Sequence, residues 1–437
     1  MIRQVSRLPL FPLTAEVNTK EHLVIGGCDT VELATELGTP LYVYDEVTLR
    51  EKCAEFKREF TNRYPTTINY SCKAFINKAV LKLFAEEGLG LDVVSGGEIG
   101  YARAFGFPME KIDFPGNNKS AEELTLALES GVGHIVVDNL YELDLLGKIT
   151  GQRERRQKIL LRVTPGVDSG THRYETTGNS DSKFGIPMAT AGKAVGKALS
   201  MPEIEVTGLH FHIGSQVKDT EPYIQAIGII LDFAVEMNKK YGFELQELSV
   251  GGGYAHRYTM NEMVPSVSEY ADAITGTLLK KCSELGITPP HLIIEPGRAM
   301  VAGAGVALYT TGVIKDIPGI RRYVSIDGGM GDNVLPAFYQ VKFEAVAAAA
   351  MSSAGTELVT ICGKYCESSD ILIRDLALPE MSAGDIIAIP GCGAYNLTES
   401  TNYNMSFKPA VVMVKNGEVR LIRRRETLDD LTRCDLV

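Results

Sequence analysis

The sequence contains no run of about 18 uninterrupted apolar residues, no CxxC pair and no excess of basic charge. The first absence excludes a transmembrane helix. The opening stretch MIRQVSRLPLFPLTAEVN carries only a short apolar patch broken by Pro9 and Pro12. It lacks the apolar core and small-residue cleavage site of a signal peptide, so a cytoplasmic protein without membrane contact is expected. Eight cysteines are scattered at positions 28, 53, 72, 282, 362, 366, 392 and 434 with no histidine-rich partners. No metal site is expected from that spacing, and in a cytoplasmic setting the thiols stay reduced. Lys and Arg number 44 against 55 Asp and Glu, a net charge of −11, which argues against nucleic acid as a partner. The short basic run Arg423–Arg425 reads as a strand end or turn.

What the chain does have is alternation. Its 437 residues are 45% hydrophobic and 23% charged, enough apolar residues for a large core. From about residue 68, eight short apolar runs (TINYSCKA, LDVVS, IDFPG, HIVVDN, ILLRVTP, VTGLHFHIG, LSVGGG and LIIEPGR) are separated by helix-patterned stretches such as NKAVLKLFAEEG and SAEELTLALESG. Several of those stretches stop at glycine, a common helix terminator. Near-continuous apolar strands alternating with helices predict parallel strands buried on both faces, here a (β/α)₈ TIM barrel over residues 45–305. Beyond residue 305 the runs become short strands with turn signals, including the Asn-Gly hairpin KNGE. This predicts an antiparallel β domain over 306–437, sandwich- or barrel-like, that also takes in the N-terminal segment 1–44 through its strand PLYVYDE. The alanine-rich run EAVAAAAMSSAG reads as a helix or linker.

The unusual residues gather at the C-terminal ends of the predicted barrel strands. They are Lys73 after the first, Ser95-Gly96-Gly97 after the second, Arg162 on the fifth, HFHIGSQ on the sixth, GGGYA after the seventh and EPGR after the eighth. Barrel active sites occupy that face. Glycines 251–253 at a strand-to-helix turn can offer backbone N–H groups to a phosphate. A lysine buried in a strand is costly unless paired or neutralised. The glycines do not form a GxGxxG dinucleotide motif. A phosphate site, a lysine and a rim glutamate together point to pyridoxal phosphate: the lysine forms an imine, the glycines hold the phosphate and a carboxylate partners the ring nitrogen.

YSCKAFINKAVLKLFAEEGLGLDVVSGGE, LLRVTPGVDSGTHRYETTGNSDSKFG, GLHFHIGSQ, VGGGYA, EPGR, SIDGGMGDN, CES and GAYN occur in this order. So arranged, over nearly the whole chain, they resemble the diaminopimelate decarboxylases, a family of barrel-type (fold-type III) pyridoxal-phosphate enzymes. The resemblance implies a homodimeric carboxy-lyase acting on meso-2,6-diaminopimelate to give L-lysine and CO₂, the last step of lysine biosynthesis. It makes Lys73 the Schiff-base lysine and His212 the residue stacked on the cofactor, with His210 a structural neighbour. Ser215, Gly253, Gly297, Arg298 and Tyr395 surround the cofactor phosphate, and Arg162 and Asp92 are supporting residues or members of a structural ion pair. Glu295 partners the ring nitrogen. Racemases on a similar barrel use arginine there, so glutamate favours decarboxylation. Cys366 is the implied proton donor and Glu367 a substrate-contacting acid, both reaching the partner subunit's site; a thiol near pKa 8.5 is tunable for that task.

One position departs from the family. The second arginine that reads the distal carboxylate, beside Arg298 and Tyr339, belongs in a pattern like DNIRPALY. This chain has DNVLPAFY, with Leu335 at the arginine's place. Such a replacement removes charge-assisted hydrogen bonds worth about 1.5–3 kcal/mol each. Another cation such as Lys342 could substitute, selectivity could be relaxed, or the substrate could be a D-ornithine- or D-lysine-like diamino acid without that carboxylate. A non-catalytic binding partner is a further alternative, but the lysine, cysteine and phosphate glycines that such relatives lose are all present.

Overall fold

The computed structural model describes residues 3–151, 156–168, 170 and 181–436; residues 169 and 171–180 of the LLRVTPGVDSGTHRYETTGNSDSKFG stretch lie outside them. The chain divides into two compact units. One comprises Cys53–Ala255 and Val264–Gly297; the other comprises Met1–Lys52, His256–Met263 and Arg298–Val437.

In the first unit, among the described residues, eight parallel strands close on themselves. In chain order these barrel strands are Thr66–Ser71, Gly90–Asp92, Ile112–Phe114, His134–Val137, Gln157–Thr164, Ile204–His210, Glu247–Ser249 and His291–Ile294. The eighth returns to the first through pairs such as Leu292↔Thr66. The fourth meets the fifth at Ile135↔Ile159. Val136, Leu160 and Ile293 fill the interior. The intervening helices start and stop where local chemistry directs. Ala121–Ser130 opens on a Ser120–Glu123 capping box and ends at Gly131, at φ 74°. Glu221–Tyr241 ends at Gly242 in the same left-handed conformation.

The end of the barrel opposite the rim is lined by polar groups. His134 Nδ1 lies 2.8 Å from Asp113 Oδ1, and Nε2 lies 3.0 Å from Glu247 Oε2. Burial disfavours the imidazolium, but the two carboxylates outweigh it and raise the His134 pKa to about 10. Burial likewise opposes ionisation of Glu247, and His134 overcomes it, lowering that carboxyl to about 2. The His134 contribution is therefore complete below its unfolded pKa near 6.5 and is lost as pH rises towards 10. That of Glu247 is complete above about 4.5 and is lost as pH falls towards 2. We expect the urea midpoint to be highest near pH 5–6.5 and to fall on the alkaline side. The His134 linkage is worth on the order of 3–5 kcal/mol, and His134→Gln should remove most of that slope. Parallel pH profiles of the two proteins would refute the assignment.

The second unit is a mixed sheet, which corrects the antiparallel expectation. Leu41–Asp45 lies between Gly305–Ile317, to which it is antiparallel, and Ala410–Lys415, to which it is parallel. Arg321–Ile326 also pairs in parallel with Glu357–Cys362. The N-terminal strand joins this sheet as expected, because Leu41 and Val43 share one apolar core with Val306, Leu308, Val412 and Val414. KNGE forms the expected hairpin, with Lys415 opposite Glu418 and with Asn416 and Gly417 at φ 51° and 81°. The alanine-rich run is not a helix. Val346 and Ala347 pair with Ala388 and Ile387. Leu23 N–H donates to the Ala348 carbonyl at 2.8 Å, and Arg7 Nη1 to that of Ala345 at 3.0 Å. Distant residues thus satisfy the backbone that helix propensity would have paired locally.

Candidate active site

The rim of the barrel unit begins with Lys73. The first strand ends at Ser71, so Lys73 lies on the turn beyond it. Its side chain is 41% exposed rather than buried as expected, with Nζ 3.5 Å from Asp92 Oδ2. Lys73 thus follows the strand end instead of lying within the strand, with a buried carboxylate facing its ammonium. Asp92 is buried and accepts from the Ser71 hydroxyl. Burial raises the Asp92 pKa, and the Lys73 charge offsets part of that rise. Gly297 makes this corner possible: a Cβ there would stand 3.1 Å from Ser71 Cβ and 3.2 Å from Ala74 Cβ.

Glu295 follows the eighth strand and is 5% exposed. Ser249 Oγ donates to its Oε1 at 2.7 Å, and His210 Nε2 lies 3.1 Å from Oε2. Burial pushes this carboxyl up, but His210 and Ser249 more than reverse that and bring it to about 2. The barrel unit thus holds a buried carboxylate in its ionised form. His210, expected only as a structural neighbour, is the group that does most to keep it so. Ser249 was not anticipated; its signal was its place as the last residue of the seventh strand, just before VGGG.

The glycine run is more selective than its composition implied. Gly251 N–H donates to Ser249 Oγ at 3.3 Å, and Gly252 N–H to His212 Nδ1 at 3.1 Å. Among the described residues, only the Gly253 N–H of these three makes no hydrogen bond within the protein. Gly253 sits at φ 107°, and a Cβ there would meet the Gly214 carbonyl at 2.6 Å, so no other residue fits. His212 accepts through Nδ1, which leaves its proton on Nε2; burial, with Lys73 and Arg162 nearby, holds its pKa well below 6.5 and keeps it neutral. Ser215 is half-buried on the loop after the sixth strand. Arg162 is buried on the fifth strand, 3.8 Å from Asp138 Oδ1, with its guanidinium 4.6 Å from the Phe184 ring. A second buried pair, which sequence reasoning missed, joins Lys119 to Glu142 at 2.7 Å.

The other unit carries the remaining expected residues. Arg298 is 6% exposed; Nη1 donates to the Tyr258 hydroxyl at 2.8 Å, and the guanidinium lies 4.6 Å from the Tyr395 ring. Tyr395 itself has φ 65°. Cys366 and Glu367 are exposed on the loop between the strands Glu357–Cys362 and Ile371–Leu378. Tyr339 ends the short helix Leu335–Tyr339, with its hydroxyl 3.5 Å from Glu399 Oε1. Leu335 is 0% exposed. It offers no surface to a substrate, contrary to expectation, because an apolar side chain at the first helical position packs inward.

A parallel barrel with a lysine, an ionised carboxylate and a glycine turn at its strand ends defines a cofactor enzyme of the pyridoxal-dependent decarboxylase class. The family model "Pyridoxal-dependent decarboxylase, pyridoxal binding domain" matches residues 46–302. A diaminopimelate decarboxylase from Bacillus subtilis is 45% identical over 426 residues, covering 97% of both chains. The crystal structure of the M. jannaschii diaminopimelate decarboxylase with L-lysine superposes with a TM-score of 0.90 at 35% identity, covering 97% of this chain and 98% of that one. The Helicobacter pylori enzyme with L-lysine gives 0.86 at 32%, covering 93% and 98%. The chain belongs to the diaminopimelate decarboxylase family. Its cofactor is pyridoxal phosphate, and its own residues fit that group. Glu295 supplies the buried anion that a protonated ring nitrogen requires, and the Gly253 turn supplies a close backbone approach for phosphate.

Proposed function

We propose that this protein decarboxylates the D-centre of meso-2,6-diaminopimelate to give L-lysine and CO₂, the final step of lysine biosynthesis. The observation that carries this reading is the 45% identity to the Bacillus subtilis enzyme over 97% of each chain. Bound pyridoxal phosphate supplies the sink for the electron pair left behind by CO₂. The rest falls to side chains. Lys73 would hold the cofactor covalently and give up that place to the substrate amine. Glu295, ionised at all working pH values, would keep a proton on the ring nitrogen. Neutral His212 would pack against the ring without adding a charge. Ser215, Gly253 and Gly297 of the barrel unit would receive the phosphate, a role that the resemblance also gives to Arg298 and Tyr395. Cys366 returns a proton to Cα, and Arg298, Tyr339, Glu367 and Tyr395 orient the substrate. Two such chains form a homodimer in which Cys366 and Glu367 of each serve the other's barrel.

Leu335 keeps one alternative in view, a diamino acid lacking the distal carboxylate. Its burial supports reading that position as part of the packing and leaves carboxylate recognition to Arg298 and the other polar groups. Parallel assays with meso-diaminopimelate, D-ornithine and D-lysine decide between the two. We expect kcat/KM for diaminopimelate to exceed the others by about 100-fold or more, the scale of one charge-assisted carboxylate contact. Faster turnover of either monocarboxylate would replace the proposed substrate.

A further inference from the structure

Both backbone polar groups of Cys366 are held by two consecutive residues of a different segment. Asn404 Oδ1 accepts the Cys366 N–H at 2.9 Å, and the Tyr403 hydroxyl donates to the Cys366 carbonyl at 3.2 Å. The Tyr403 ring also stacks on Tyr365, with centroids 6.1 Å apart and planes at 25°. Asn404 is at φ 52°, ψ 29°, a left-handed conformation that asparagine tolerates better than most residues. Such a conformation is kept where the surroundings use it.

The Cys366 loop is pinned from its base as well. Asp370 accepts from Tyr365 N–H through Oδ2 at 2.9 Å and from Met330 N–H through Oδ1 at 2.7 Å. Gly363 N–H closes the loop onto the Asp370 carbonyl at 3.0 Å. An exposed cysteine loop would ordinarily be mobile; here the peptide groups on either side of the Cys366 Cα are fixed. Fixing both peptides fixes the direction of the Cα–Cβ bond, and with it the arc available to Sγ.

We propose that Asn404 is a positioning residue for Cys366, which it aims through the peptide N–H, with Tyr403 securing the carbonyl. This rests on the reading of Cys366 as proton donor. In that step the bond from Cα to the carboxylate breaks, CO₂ leaves without the electron pair, and the pair takes the proton from Cys366 Sγ. The thiolate then recovers a proton from water. A proton delivered from a fixed direction reaches one face of Cα, so aiming the thiol determines the configuration of the new C–H bond as well as its rate of formation.

The test uses the holoenzyme and three variants. Asn404→Gly keeps the left-handed backbone and deletes the hydrogen bond, Asn404→Asp keeps an acceptor, and Cys366→Ala tests the underlying role. The first readout is independent of activity: the rate of Cys366 alkylation by iodoacetamide, measured by peptide mass mapping, with exposed Cys434 as the internal reference. We expect Asn404→Gly to raise that rate about threefold or more relative to Cys434, and Asn404→Asp to restore it. The second is turnover in D₂O. Asn404→Gly should lower kcat about 10-fold, a part of the roughly 10²–10⁴-fold that a general acid contributes, leave KM within about twofold, and scramble the configuration of the deuterated carbon. Wild-type alkylation, kcat and stereochemistry in Asn404→Gly would overturn the positioning role. Wild-type rate and stereochemistry in Cys366→Ala would instead overturn the donor reading, leaving the alkylation result to stand by itself.

Discussion

Replacing Lys73 by alanine should abolish decarboxylation, by roughly a thousandfold or more, while leaving the protein folded. The size follows from the two tasks proposed for this one nitrogen, covalent anchoring of the cofactor and exchange with the substrate amine. The preserved fold follows from its place on an exposed turn beyond the first barrel strand. The group most affected is Asp92, whose pKa is already raised by burial and is held down in part by Lys73. Losing the ammonium raises it further, so any destabilisation should grow with pH as that carboxyl is forced to ionise. Borohydride reduction of the wild-type holoenzyme followed by peptide mapping should label Lys73, and the variant should carry no label. Mixing Lys73→Ala with Cys366→Ala chains should restore up to about a quarter of wild-type activity through hybrid sites. Labelling at another lysine would remove Lys73 from its role. Absence of rescue, once subunit exchange has been demonstrated, would remove the shared-site dimer.

The second large effect is expected at Glu295. Glu295→Gln preserves shape and an acceptor for the Ser249 hydroxyl, but His210 Nε2 can accept from the new amide only by moving its proton to Nδ1, which is buried with no hydrogen-bond partner among the described residues. Stability should therefore fall by about 1–3 kcal/mol, short of unfolding, while a buried negative charge disappears. With that charge gone nothing keeps the ring nitrogen protonated, and kcat/KM should fall about 100-fold or more. Because the Glu295 carboxyl is brought to about 2, it titrates far below the working range. Its ionisation should produce no limb in the wild-type pH–rate profile above about pH 4. A variant within threefold of wild type would show that the carboxylate is structural only.

Much of the site was legible because strand ends are marked locally. The run of β-branched residues stops, and a lysine, glycine or glutamate follows; in a parallel barrel every such end lies on one face. Lys73, His212, Gly253 and Glu295 could be gathered in that way with no coordinates. Two readings failed where the answer depended on three-dimensional surroundings. Lys73 was expected to be buried, since a chain pattern does not show that the strand stops at Ser71. Leu335 was expected to face a substrate, since its alignment with an arginine carries no information about packing.

The sequence by itself determined the order of elements, the hairpin at Asn416–Gly417, the recruitment of Leu41–Asp45 into the second unit's sheet, and the residue types on the rim. All of these depend on periodicity and turn chemistry within a few neighbouring residues. Only the tertiary structure decided that the second sheet is mixed, because the pairing of Leu41–Asp45 with Ala410–Lys415 joins segments from opposite ends of the chain. It also decided the charge on Glu295, set by Ser249 and His210, 46 and 85 residues away, and the anchoring of Cys366 by Asn404, 38 residues on. A pKa and a thiol's direction are properties of the neighbours that folding brings together, and long-range pairing alone selects those neighbours.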